Sequence, residues 1–148
     1  MTETEKSFYL PGLMNLTDYR LERAELNQEW DEQVELSTQG TVYSQSAFIN
    51  GAGKPAGLWK CFKNDDLKAL FACEETEDRK DARHSGWLTY NGIMLLPPDK
   101  NQNIAQVTSE EFRITSFIVQ ELTEIYNTIE LSTHPTFKDL RPFLWHLY

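Results

Sequence analysis

The densest chemistry in this sequence lies near its C-terminal end. Asp139-Leu140-Arg141-Pro142 sets a carboxylate two residues from a guanidinium, with Phe137, Phe143, Trp145 and Tyr148 around them. Such a pair can share two parallel hydrogen bonds. Two roles fit it. The pair and Trp145 can edge a substrate groove, or the pair can fix the chain path while the aromatics fill a core, as dense aromatics mostly do. A second acidic cluster, Glu110-Glu111, follows Thr108. Thr108 and Glu111 have capping-box spacing. Acids near a helix N-terminus are also favoured by its dipole. This pair is therefore expected to start a helix rather than to catalyse.

Other candidates carry less. Ser132-Thr133-His134 places hydroxyls beside an imidazole, but a nucleophilic set needs spatial convergence and an orienting acid. The histidines, His84, His134 and His146, lack metal spacing, and no HExxH or CxxC occurs. Gly51-Ala52-Gly53-Lys54-Pro55-Ala56-Gly57 superficially suggests a phosphate loop. Its third glycine falls one position late, proline follows Lys54, and a strand follows the loop, so neither nucleotide fingerprint fits. Cys61 and Cys73 lie in strand-like stretches, where a free thiol acts as a small apolar residue.

The elements that must position these groups are readable from periodicity. Residues 1–17 read as a flexible lead-in, with a turn at Pro11-Gly12. Tyr19 to Glu25 alternates like an edge strand, with a helix as rival, since Leu, Glu, Arg and Ala also favour helix. Asn27 can cap a helix from Gln28 to Ser37 that turns Trp30, Val34 and Ser37 inward and stops at Gln39-Gly40. A short helix is expected over Gln45–Asn50, with Phe48 and Ile49 inward. Leu58–Lys63 and Leu67–Cys73 form a hairpin about Asn64-Asp65-Asp66. The charged run Glu74–Arg83 reads as a solvated loop or hairpin extension. Trp87–Tyr90 and Ile93–Leu96 read as one more strand, or as a strand broken at Gly92, ended by Pro97-Pro98.

Asp99–Gln106 reads as polar connection. A long helix then starts at Thr108, with Phe112, Thr115, Ile118, Val119, Leu122, Ile125 and Tyr126 on one stripe and Glu110 on the solvated side. Ile129–Thr133 alternates as a strand that Pro135 ends. Arg141, directly before Pro142, is biased away from helix. This order predicts a single α/β (α+β) layered domain over 18–148.

Composition bounds the function. A chain of 148 residues buries about 70% of its unfolded surface and can build one core. The net charge of −9 supplies no Lys/Arg surface for a phosphate backbone, so direct nucleic-acid binding is not expected. No apolar run approaches the ~18 residues of a membrane span, and no signal peptide is visible. Two thiols fit a reducing compartment, so a cytoplasmic location is expected.

A family resemblance completes the reading. The helix, the strand Glu130-Leu131-Ser132-Thr133-His134-Pro135 and the segment Asp139-Leu140-Arg141-Pro142-Phe143-Leu144-Trp145 resemble the N-terminal half of FemAB-like acyltransferases of the GNAT superfamily. So do Glu29-Trp30-Asp31 with Gly40-Thr41-Val42-Tyr43, and Tyr90-Asn91-Gly92-Ile93-Met94. The resemblance covers residues 18–148. It implies a GNAT-like mixed, mainly antiparallel sheet flanked by helices, and acyl or aminoacyl transfer from acyl-CoA or aminoacyl-tRNA to an amine. It also implies that this half shapes the acceptor groove, lined by Tyr90, Asn91, Arg141 and Trp145.

Family members are about twice as long, with two related halves, so a second GNAT-like half or a homodimer partner is implied. GNAT enzymes hold acyl-CoA on backbone amides of a [QR]-x-x-G-x-[GA] turn. The nearest match, Arg83-His84-Ser85-Gly86-Trp87-Leu88, fails at its last position and precedes a strand. No cofactor is therefore expected on this chain itself. The alternative is a non-catalytic interaction module acting as a dimer or with a second chain.

Overall fold

Alternation along the central hairpin produces a sheet with two different faces. The computed structural model describes residues 16–84 and 90–146, with Trp145 and His146 described in backbone only. Strand β1 is Tyr19–Arg23, β2 Ala56–Lys63, β3 Asp66–Glu75, β4 Asp81–Arg83, β5 Gly92–Leu95 and β6 Thr128–Ile129. The order is β1-β2-β3-β4-β6, with β5 also paired to β3. All pairings are antiparallel except β4 with β6. The mixed, mainly antiparallel sheet expected for the domain is present.

Helices cover both faces. On one lies α3, Ile104–Ile125; on the other lie α1, Gln28–Leu36, and α2, Ser46–Ala52. Because strand side chains alternate, Ala69, Phe71 and Cys73 of β3 join Ile118 and Leu122 of α3, and Tyr126 just past its end, in one core. Leu70 and Ala72 join Trp30 and Val34 of α1 in the other. Trp30, Phe71, Leu70 and Ile118 are fully buried, each contributing about 1.5–3 kcal/mol. A short last helix, α4, spans Arg141–His146. No helix among the described residues is long and apolar enough to cross a membrane.

Local chemistry explains most boundaries. Asn27 caps α1 by accepting from the Trp30 amide at 2.8 Å. Asp31 of α1 accepts from the backbone N–H and the hydroxyl of Ser46, at 2.7 and 2.5 Å, and so anchors the start of α2. The Trp30 indole donates to the Ser44 carbonyl at 2.8 Å and holds the intervening turn inward. The charged run after β3 turns back and continues the sheet as β4, with Arg79 at φ +60° in the turn.

Four expectations are corrected. The capping box of α3 is Asn103 with Gln106, each side chain bonded to the other's backbone N–H at 2.9 Å. The helix thus begins a turn before Thr108, and Glu111 is an interior residue with no capping duty. Glu110, expected in solvent, is buried because it meets Lys68 at 3.0 Å and Gln102 at 2.8 Å. Arg141 opens α4 despite preceding proline: Pro142 sits in the first turn, where its missing N–H would be unpaired anyway. The strand expected over Ile129–Thr133 contributes only its first residue to the ladder, which pairs Thr128 and Ile129 with β4. The strand segment expected over Trp87–Thr89 and all but Leu16 and Thr17 of the lead-in lie outside the described residues.

Two measurements test this frame. Asn103→Ala should cost about 1 kcal/mol of unfolding free energy, against under about 0.5 for Thr108→Ala, read by urea denaturation. Burial opposes ionisation of Glu110, but Gln102 and Lys68 outweigh it and hold the carboxyl below its usual value. That stability is present above the ordinary carboxylate range, ~4.3, and is lost as pH falls through the lower folded value. The stability gap between wild type and Glu110→Gln should therefore close on acidification from about pH 6 to about pH 3.

Candidate functional site

The site forms beyond a short parallel pairing. β4 and β5 pair with β3 at successive points, Arg83 and Ala82 opposite Glu74 and Glu75, then Gly92 to Leu95 opposite Ala72 to Ala69. They make one interrupted line. β6 runs parallel to β4, and the chain beyond it stays bonded to the line only as far as Asn91. There the Asn91 N–H donates to the Ser132 carbonyl at 2.9 Å, and the Asn91 amide oxygen accepts from Ser132 N–H at 2.7 Å. The amide nitrogen donates to the Arg83 and Glu130 carbonyls at 3.3 and 3.4 Å. One buried side chain thus stitches both strands. Gly92, at φ +118°, then redirects the backbone, in a conformation that favours glycine.

Past this stitch β5 and the chain after Ser132 share no further backbone bond among the described residues, and a cleft lies beside them. Leu95, on the free edge of β5, donates its N–H to Gln39 Oε1 at 2.7 Å and accepts from Thr38 N–H at 2.9 Å. The segment that follows α1 therefore closes one wall. A small hollow lies between Gln39, Ser44, Tyr90, Asn91 and His134. Beside it, sharing Gln39, is a cavity of about 230 Å³ lined by Thr38, Leu95, Glu111, Thr115, Thr136, Phe137, Lys138 and Asp139.

Two carboxylates reach the larger cavity in different states. Asp139 accepts from Arg141 Nε and Nη2 at 2.9 and 2.7 Å, which holds its carboxyl below the usual range. Arg141 also stacks over Phe112, 4.8 Å from the ring centre, and stands largely exposed at the rim. Glu111 has no ion pair or side-chain hydrogen bond among the described residues. Burial, with Asp139 adding a like charge, raises its proton affinity. An unpaired acid of raised pKa in a cleft marks a candidate binding or proton-accepting group.

A second buried polar cluster lies elsewhere, against α3. Glu75 accepts from both terminal nitrogens of Arg23, at 3.0 and 3.1 Å, and from the Tyr126 hydroxyl at 2.6 Å. The Trp59 indole donates to the same hydroxyl at 3.1 Å. Gly57 leaves the room: a side chain there would collide with the Tyr126 hydroxyl and the Cys73 sulfur. Glu75 is buried and both its oxygens are engaged, so this cluster is a clamp between strands and helix. Cys61 and Cys73 are both buried free thiols, pushed up by burial to about 12. Protonated thiols of this kind are inert as nucleophiles.

The structure brings Tyr90 and Asn91 together at the small hollow and sets Arg141 at the rim of the larger cavity. Asn91 spends its amide on backbone, and Tyr90 packs edge-on to His134 with ring centres 4.9 Å apart. The Trp145 side chain lies outside the described residues. The sequence reading missed Glu111, Thr115 and Gln39. The Thr108 spacing assigned Glu111 to a cap, whereas Asn103-x-x-Gln106 carried the same signal one turn earlier. Moved into the helix interior, Glu111 falls on one face with Thr115, four residues on. Among the described residues no group of three or more His, Cys, Asp or Glu could hold a metal ion.

Fold and site together define a three-layer α+β domain with a cleft beside β5, walled in part by α3. No protein-family model matches the chain, and no curated protein matches it.

The stitch is directly testable. Asn91→Asp keeps the acceptor for Ser132 but sets a carboxylate against two carbonyls. It should cost about 2–3 kcal/mol and speed amide hydrogen exchange at Ser132. Exchange in the core of β3, at Phe71, should change little.

Proposed function

We propose that this chain is the N-terminal, acceptor-side half of an N-acyltransferase similar to the FemAB-like enzymes of the GNAT superfamily. It receives an amine, and a second GNAT-like half or homodimer partner holds acyl-CoA or aminoacyl-tRNA. The observation that supports it is the cavity between β5, α3 and residues 136–139, with Glu111, unpaired among the described residues, in its wall. In the reaction a C–N bond forms between amine and acyl carbonyl, and the donor's C–S or C–O bond breaks. One ammonium proton goes to a carboxylate and one to the leaving thiol or hydroxyl. Fixing the amine in the cleft supports such a step by removing its freedom of approach. This reading includes a cytoplasmic location, which two free thiols support.

A second reading has its own support. Between α3, β6 and α4 lies an apolar groove of about 320 Å³, walled by Val119, Leu122, Ile129, Leu131, Phe143 and Leu144. Leu140 and Leu144 are 47% and 57% exposed. An apolar patch of this kind fits a non-catalytic interaction module.

The test uses the protein purified from its source cells with any chain it carries. It is offered acyl-CoA or charged tRNA with a panel of primary amines, and products are read by mass. Formation of an N-acylated amine is expected. An intact assembly that acylates none of them would sink the transferase reading and leave the interaction module. In that case Leu144→Glu should abolish the assembly in sedimentation.

A further inference from the structure

The larger cavity is more specific than a generic acceptor groove. Among the described residues, its one carboxylate without a bonded cation is Glu111, since Asp139 is neutralised by Arg141 at 2.7 Å. Thr115, four residues on, is only 2% exposed, and both groups lie on the wall of the same cavity. Leu95 and Phe137 make the apolar part of that wall. Lys138 also lines the cavity but is exposed, and it pairs with neither carboxylate among the described residues.

This is the complement of one chemical class. A primary ammonium offers three donors and no acceptor. Glu111 and the Thr115 hydroxyl supply acceptors, and a short alkyl stem suits the apolar wall, as lysine stems lie along apolar surface. An alcohol could satisfy one oxygen but brings no charge; a carboxylate would be repelled by Glu111.

We propose that the Glu111 cavity binds the primary ammonium group of an alkylamine, with Glu111 and Thr115 as its acceptors and Leu95 and Phe137 against its stem. This names the acceptor class and rests on the transferase reading for its role in reaction, although the binding itself does not. Once bound, the ammonium can pass one proton to the Glu111 carboxylate, leaving a neutral amine lone pair and a neutral carboxyl, so charge and protons balance.

The probe is n-butylammonium, titrated into the full chain and followed by backbone amide shifts. Saturable shifts at Glu111, Thr115 and Leu95 are expected, with n-butanol and butyrate at least about tenfold weaker, the scale of one charge-assisted hydrogen bond. Glu111→Gln, nearly isosteric, should weaken the amine about tenfold or more. Thr115→Val should weaken it by a smaller factor, so a variant that fails to fold does not end the test. Butanol binding as tightly as the amine, or full affinity retained in both variants, overturns the proposal. Amine binding without acyl transfer by the natural assembly would sink the transferase reading alone. Acyl transfer undiminished in Glu111→Gln would sink this inference alone.

Discussion

Everything at the cleft depends on one carboxamide. Parallel strands hold together by evenly spaced backbone bonds, and here that ladder is only two residue pairs long. Beyond it, Asn91 takes over with three side-chain bonds to three backbone groups. An acid at this position lacks the donors, and a leucine lacks both kinds of group. The neutral amide offers donor and acceptor from one planar head. Holding the strands here fixes where their backbone bonding ends, and the cleft lies beside that point.

The helix α3 supplies the opposite wall, and its phase is set at its start. Capping by Asn103 decides which residues look into the core and which into the cleft. Ile114, Ile118 and Leu122 join the core beneath the sheet, and Glu111 and Thr115 line the gap. Glu110, one residue earlier, reaches Lys68 on β3 instead. Two adjacent glutamates thus have opposite surroundings, one held by two donors and one with none among the described residues. Sequence adjacency conceals this, because neighbours on a helix are separated by about 100° around its axis.

How much could be read in advance follows from the range of the interactions. The cap at Asn27, the inward set of Trp30 and Val34, the Asn64 turn and the stop at Pro97-Pro98 are local, and each was legible. So was the layered α+β class. The start of α3 was legible in principle, since Asn103 and Gln106 stand at capping distance, but Thr108 and Glu111 offered the same pattern and only packing chose between them. The cleft was not legible. It joins Gln39, Leu95, Glu111 and Phe137 from four separate parts of the chain, and no local spacing encodes that convergence. Tyr90, Asn91 and Arg141 entered through family resemblance, and the geometry gives each a neighbourhood rather than a role: a hollow, a stitch and a rim.

The interrupted line of β4 and β5 has an architectural consequence. Each piece takes its register from β3 separately, through its own pairs. A shift in the register of one piece therefore does not by itself move the other along β3. An insertion within β3 has no such freedom, since a one-residue slip exchanges the two cores it divides. The sheet thus builds one line from two strands, each holding its own register on β3.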